Sequence, residues 1–312
     1  MGPVGPIPYR RMREKSMNKS FDDVVTRTIG NDVQIPSVGF GTFQIWPYQA
    51  QEAVEQALEL GYRHVDTAQA YCNEAQVGAA LAATGKANST FVTTKIRNGD
   101  QGYDSTLRSF DESLAALGVD TVDLLLIHWP CPTKDLFVDT WRAFVHLREE
   151  GAVRAIGVSN FMVEHLAKII SETGVAPDVN QIESHPRYWQ PELEAYCADH
   201  GIVVEAYSPL GHGGDISSEP VETATVAHGV TAAQVVLRWH LQKGHVILPK
   251  STHVERMRQN VDLGGFELTE AELAAIDALN DPSATVSLDP YSFCGPQTLE
   301  DLLSRGAMHL EP

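Results

Sequence analysis

Residues 122–128, VDLLLIH, are the stretch on which the fold turns. Apart from Asp123 the run is apolar up to His128, and it is too short for a helix that would bury itself. A short, nearly continuous apolar run is the pattern of a strand covered on both faces, because a half-exposed strand alternates. Working outward, runs of the same kind recur at 38–41, 64–67, 91–94, 155–158, 178–182, 203–206 and 245–248. Each is followed by a longer pattern with helical spacing. After the third, Leu107, Phe110, Leu114 and Leu117 fall on one face, and after the first so do Val54, Ala57 and Leu58. Helical runs stop at glycines such as Gly118 and Gly174, where a left-handed C′ residue is wanted. Strand and helix alternate throughout, which predicts a parallel sheet closed into a (β/α)8 TIM barrel.

The flanks extend this reading. In VVTRTIGNDVQIPSVGF (24–40) two β-type runs surround Gly30, Asn31 and Asp32, which predicts an N-terminal β-hairpin placed to close the bottom of the barrel. Thr269 and Glu272 form the sequence signature of a capping box and start an extra helix. DPSATVSLDPYSFCGPQ (281–297) is a Pro-rich aromatic stretch, expected as a C-terminal substrate loop, with a short helix expected at 298–309. Residues 1–22 carry Pro, Gly and five basic residues without an apolar core, so they are expected as a disordered tail rather than a secretory signal. A transit peptide and a translation start at Met17 are the alternatives. Residues 23–312 are expected as one domain.

The 312 residues carry a net charge of −18. Such a field repels phosphate backbones and anionic lipid, so neither nucleic acid nor a membrane is an expected partner. No run of about 18 apolar residues exists to span a bilayer. Cys72, Cys131, Cys197 and Cys294 form no CxxC pair and no disulfide framework, which points to a reducing cytoplasm. A monomer is expected, and no metal.

In a barrel of this type reactive groups gather at the C-terminal ends of the strands. Asp66 ends the second predicted strand, Lys95 the third and His128 the fourth, and Tyr71 lies in the loop after the second. Taken singly, the Asp is as easily a helix cap, the Tyr packing, the Lys a surface charge and the His a core residue. Together they form a relay. A tyrosine with its ordinary pKa of about 10 is a poor acid at neutral pH. A lysine ammonium would lower it, an aspartate would keep the lysine charged, and His128 would orient a substrate oxygen.

At these residues the chain resembles the aldo-keto reductase superfamily. The match runs in order through GYRHVDTAQAYCNEAQVGAAL (61–81), GVSNF (157–161), NQIESHP (180–186) and AYSPLG (206–211), and covers roughly residues 24–279. Within the superfamily it is most similar to bacterial members like 2,5-diketo-gluconate reductases. The resemblance implies reduction of aldehydes, ketones or dicarbonyls by hydride from NADPH, with Tyr71 as proton donor and Asp66, Lys95 and His128 completing the catalytic set. It implies that Ser159, Asn160 and Gln181 hold the nicotinamide amide and that Tyr207 stacks on the ring, with Gly41, Thr42, Asp66, Ser208 and Leu210 also at the cofactor. No GxGxxG follows an early strand, so a Rossmann site is not indicated. The phosphate site falls instead in ILPKSTHVERMRQN (247–260). There Lys250, Ser251 and Arg256 are implied to hold the 2′-phosphate, with Thr252 at the helix start and Gln259 and Asn260 at the adenine. Gln259 departs from the Glu common in the family. Two cations in so acidic a chain favour NADPH over NADH. Trp46 and Trp129, with Tyr71 and His128, are implied to wall the substrate cavity, while Trp189, Tyr291 and Phe293 are equally readable as packing. A cofactor-binding sensor without turnover and a metal-dependent barrel hydrolase are the rival classes.

Overall fold

A computed structural model describes residues 26–295. The expected tail at 1–22 and the expected helix at 298–309 lie outside these residues. The chain opens with β1 (Thr26–Ile29) and β2 (Val33–Pro36), an antiparallel pair in which Ile29 faces Val33 across the turn at 30–32. Gly30 takes φ +44° there, and a Cβ on it would strike the Asp178 carboxylate. Ile29, Val33 and Ile35 pack on Phe91, Leu124, Leu126, Ala155, Val179 and Val246, so the hairpin plugs the N-terminal end of the sheet.

The barrel follows as β3 (Phe40–Gly41), α1 (Pro47–Glu59), β4 (His64–Asp66), α2 (Glu74–Thr84), β5 (Phe91–Ile96), α3 (Tyr103–Leu117), β6 (Val122–Ile127) and α4 (Phe137–Glu149). It continues through β7 (Val153–Ser159), α5 (Val163–Thr173), β8 (Val179–Glu183), α6 (Pro191–Asp199), β9 (Val203–Tyr207), α7 (Glu219–His228), α8 (Ala232–Lys243), β10 (Val246–Ile247) and α9 (Val254–Val261). The extra helix α10 spans Glu270–Asp277 and opens on the expected capping box. The Thr269 hydroxyl accepts from the Glu272 amide at 3.2 Å, and Glu272 accepts from the Thr269 amide at 2.8 Å.

Strands β3 to β10 lie side by side in chain order, every pair parallel. The circle closes where Val38 bridges Ile247, through Gly39 N–H to the Ile247 carbonyl and Ile247 N–H to the Ser37 carbonyl, each 2.8 Å. This is the (β/α)8 barrel that the strand rhythm predicts. The eight strands fall where expected, with shifted ends: β7 starts two residues early at Val153, and β3 and β10 shrink to two residues each. Those two meet at the closure, where few ladder bonds form. Helices bury the faces read from the sequence: Val54, Ala57 and Leu58 in α1, Phe110 and Leu117 in α3.

β6, β7 and β8 pack closely around Gly157. A Cβ at Gly157 would stand 2.6 Å from the Val179 carbonyl oxygen and 2.7 Å from Leu126. Since the backbone cannot retreat as a side-chain tip does, Gly157→Ala is expected to destabilise the protein by about 1–3 kcal/mol, read as a lower midpoint in urea. An unchanged midpoint would show that the wall has slack at this point.

Candidate active site

Asp66, Lys95, Gln181 and Glu205 come from β4, β5, β8 and β9. β4 and β8 are separated by three strands either way round the ring, so their side chains can meet only through the interior. They do meet. Lys95 Nζ donates to both oxygens of Asp66 at 2.7 Å and to the Thr67 carbonyl at 2.9 Å. The Gln181 side-chain amide donates from Nε2 to Asp66 Oδ2 at 2.9 Å and to Glu205 Oε2 at 2.6 Å. Lys95 is fully buried. Burial pushes the Asp66 carboxyl up, and the Lys95 ammonium opposes that shift. Burial also pushes Glu205 up, helped by the charge of Asp66.

Tyr71 stands above this pair. It ends a short 3-10 turn (Gln69–Tyr71), and Cys72 then reverses the chain at φ +55°. Asn73 fixes the loop from the other side by donating to the Thr42 and Ile45 carbonyls at 3.0 and 3.1 Å. Thr42 in turn bonds the Asp66 carbonyl through its hydroxyl at 2.9 Å. The Tyr71 ring lies 4.9 Å from Lys95 Nζ and meets the His128 ring edge-on at 5.5 Å. The four catalytic candidates are therefore one cluster.

One electrostatic expectation is corrected. The Tyr71 phenol is pushed up from its ordinary value, by burial first and then by the charges of Asp66 and Glu205. Lys95 gives its three donors to Asp66 and Thr67 rather than to the phenol. His128 is held down at about 3, by burial and then by Lys95, so its imidazole is neutral.

The expected nicotinamide residues line the next stretch of the mouth. Asn160 follows β7 at φ +64°, donates from Nδ2 to the His128 carbonyl at 3.0 Å and to Ser159 Oγ at 3.1 Å, and faces the Tyr207 hydroxyl with Oδ1 at 2.8 Å. Ser208 is also left-handed, at φ +47°, and Leu210 packs against the core. Gly41 lies so close to the Leu248 carbonyl that a Cβ would stand 3.3 Å from it, which sets this loop beside the segment leading to Lys250.

The expected phosphate residues surround the start of α9. Ser251 Oγ accepts from the His253 amide at 3.0 Å. Thr252 and Arg256 are exposed, Gln259 is half-buried and Asn260 is buried. The helix itself starts at Val254, so Ser251 and Thr252 precede its first turn rather than belong to it. Arg258 pairs with Glu255, whereas Arg256 and Lys250 have no ion-pair partner among the described residues. Free cations, an open helix start and left-handed backbone at Asn160 and Ser208 fit an extended anionic dinucleotide.

Of the substrate candidates, Trp129 is buried and packs edge-on against Phe293 at 4.6 Å, and Trp46 caps α1. Trp189 is packing: its indole bonds the Asp277 carbonyl at 3.0 Å, under Lys243. Tyr291 reaches away to Glu164 of α5 at 2.9 Å. Sequence reasoning missed the anchor of the C-terminal loop. Glu183 accepts from the Thr285 hydroxyl at 2.7 Å and from the Val286 and Ser287 amides at 2.6 and 3.1 Å. Ser287 Oγ then lies 2.8 Å from the Tyr207 hydroxyl. Glu183 stands inside NQIESHP, where only the amide residues carry an implied role, so its sequence signal was a charge in a strand. A cavity of about 260 Å3 opens between this loop, Asn160, Ile182, Glu183 and Tyr207. None of the four catalytic candidates lines it.

The fold and this rim place the chain among barrel reductases, and the comparisons agree. The Aldo/keto reductase family model matches residues 37–218 and 215–281. An aldo-keto reductase of Mycobacterium sp. (strain JLS) is 50% identical, over 83% of this chain and 94% of its own length. The glyoxal reductase of Bacillus subtilis (strain 168) is 44% identical, over 85% and 95%. The crystal structure of a Gox0644 mutant in complex with NADPH is 40% identical, with a TM-score of 0.84 over 86% of this chain and 98% of that one. The chain belongs to the aldo/keto reductase family. No helix among the described residues is long and apolar enough to cross a membrane.

The loop anchor carries a pH dependence. His185 bridges Glu183 Oε1 at 3.1 Å and Asp215 Oδ2 at 2.7 Å. Burial alone would lower the imidazole, but hydrogen bonds to Asp215 and Glu183, with their charges, raise it to about 9. The folded value lies above the ordinary one, so this stabilisation is complete below about pH 6.5. It is lost as pH rises through about 9. Between pH 8 and 10 the melting temperature of the wild type should fall further than that of His185→Gln. Parallel curves would mean that His185 is neutral in the folded protein.

Proposed function

We propose that this chain reduces aldehydes, ketones or dicarbonyls to alcohols, with Tyr71 as proton donor. The observation that carries the reading is the single cluster of Tyr71, His128, Lys95 and Asp66 at the barrel mouth. NADPH is the cofactor, and when bound it supplies the hydride. Lys250, Ser251 and Arg256 would hold its 2′-phosphate, with Thr252 beside them, Gln259 and Asn260 at the adenine, and Ser159, Asn160 and Gln181 at the nicotinamide amide. Tyr207 would stack on the ring, while Gly41, Thr42, Ser208 and Leu210 shape the path between the two ends.

The chain's own residues then handle the proton. Tyr71 is a neutral phenol throughout the physiological range, because burial and two carboxylates oppose its ionisation. Its proton is therefore present when a carbonyl oxygen needs it. The neutral His128 imidazole donates a hydrogen bond to that oxygen without competing for the proton. As the oxygen gains negative charge it takes the phenol proton, and the phenolate that remains faces the Lys95 ammonium. Asp66 is that ammonium's counter-ion inside the barrel. Solvent returns a proton to Tyr71 after the alcohol leaves. Trp46 and Trp129 wall the substrate side.

Tyr71→Phe should lower kcat by about 10²- to 10⁴-fold while leaving the Kd for NADPH nearly unchanged, followed by NADPH oxidation on glyoxal-type dicarbonyls and by nucleotide fluorescence. Near-normal turnover would remove Tyr71 as the donor. Arg256→Ala should raise the KM for NADPH by roughly tenfold or more, the value of one charge-assisted hydrogen bond, with the KM for NADH unmoved. Equal effects on the two nucleotides would displace the 2′-phosphate from Arg256.

A further inference from the structure

Beyond its charge opposing ionisation of Tyr71, Glu205 has no assigned role above, yet it is a fully buried carboxyl at the centre of the barrel. β9 reads VVEAY, and Glu205 is the only charge in it. Its neighbours from each packed element are Asp66 of β4, Lys95 of β5, Gln181 of β8 and His64 of β4, whose Nε2 lies 3.8 Å from Oε1. Lys95 gives its protons to Asp66 and Thr67, and His64 is held neutral at about 3 by burial. Asp66 thus has an ammonium in contact and Glu205 has none, and burial pushes the Glu205 carboxyl up.

What Glu205 does hold is Gln181. A primary amide has two N–H donors and one carbonyl acceptor, and turning the group by a half rotation exchanges them. Both donors of Gln181 point down at carboxyl oxygens, one on Asp66 and one on Glu205. The reversed amide would set its carbonyl against Asp66, which carries the negative charge. The orientation is therefore fixed from below, and Oε1 of Gln181 receives no hydrogen bond from any described residue. We propose that Glu205 is a positioning residue for the cofactor: by accepting one N–H of Gln181, as Asp66 accepts the other, it presents Gln181 Oε1 as an acceptor for an N–H of the nicotinamide carboxamide. This rests on the reading that places the nicotinamide amide at Gln181.

The test compares NADPH with its 3-acetylpyridine analogue, in which a methyl replaces the carboxamide nitrogen and no N–H remains to meet Gln181. Fluorescence titration gives the Kd of each without turnover. The wild type should bind NADPH more tightly than the analogue. Glu205→Leu and the smaller Glu205→Thr both remove the acceptor. Each should weaken NADPH by roughly three- to tenfold, the range of one net hydrogen bond, and leave the analogue unmoved, so that the preference collapses. Glu205→Gln keeps an acceptor oxygen at the same reach and should restore it. Gln181→Leu serves as reference. If Gln181→Leu abolishes the preference while the Leu and Thr variants at 205 retain it, the proposal is overturned and the cofactor reading stands. If Gln181→Leu leaves both affinities unchanged, the cofactor reading fails at this residue and the proposal fails with it. Equal losses of NADPH and analogue in the 205 variants, with lower melting temperatures, would make Glu205 a packing residue and overturn the proposal.

Discussion

The contact between Lys95 and Asp66 is the constraint to which the rest of the site answers. An ammonium with no solvent exposure is tolerated only with a counter-ion and filled hydrogen bonds, and here both Asp66 oxygens and the Thr67 carbonyl supply them. The pair fixes more than itself. Asp66 Oδ2 also takes Gln181 from across the barrel, and the Asp66 carbonyl takes Thr42 from the loop after β3. The loop that carries Tyr71 leans on the same Thr42 through Asn73. One buried ion pair thus locates residues from the first, second, third and sixth strands of the barrel. A barrel mouth built on loops alone would hold them less closely.

A second chain of contacts ties the ends of β7 and β9 to the C-terminal loop. Asn160 is bonded to the His128 carbonyl on one side and to Tyr207 on the other, and Tyr207 meets Ser287 of the loop. Glu183 holds the loop's backbone, and His185 with Asp215 holds Glu183. Gly211 belongs to this arrangement, since a Cβ there would stand 2.1 Å from the Asp215 carboxylate. The C-terminal loop is therefore bonded to Tyr207 and through it to Asn160, the residues that are proposed to face the nicotinamide. Sequence changes in 285–287 should be felt on both sides.

How much of this could be read from the sequence follows from the kind of signal involved. The strands were legible because burial on both faces writes long apolar runs, as in VDLLLIH; their ends were not, because β3 and β10 are cut short at the barrel closure, which no local pattern records. Asp66, Tyr71, Lys95 and His128 were legible because strand ends converge. The state of Tyr71 was not. Burial and the nearby carboxyls push the phenol up beside a lysine, and that balance of surroundings exists only in three dimensions. Glu183 and Glu205 show the same limit. Each is a charge inside an apolar strand, a visible anomaly, but nothing in the chain order says that one faces residue 286 and the other residue 181.

The overall charge is a poorer guide to the ligand than its placement. A chain with a net charge of −18 should repel a dinucleotide at long range. At physiological salt that field decays over about 8 Å, so at contact the local groups decide. Many of the described cations are already neutralised: Arg142 by Asp139 and Glu172, Arg154 by Asp123, Arg238 by Glu267, Arg258 by Glu255. Among the described residues Lys250 and Arg256 have no ion-pair partner, and they flank the start of α9, whose first amides add a fixed positive end. Two cations without an ion-pair partner among the described residues thus stand beside a helix terminus, where an anion would be favoured.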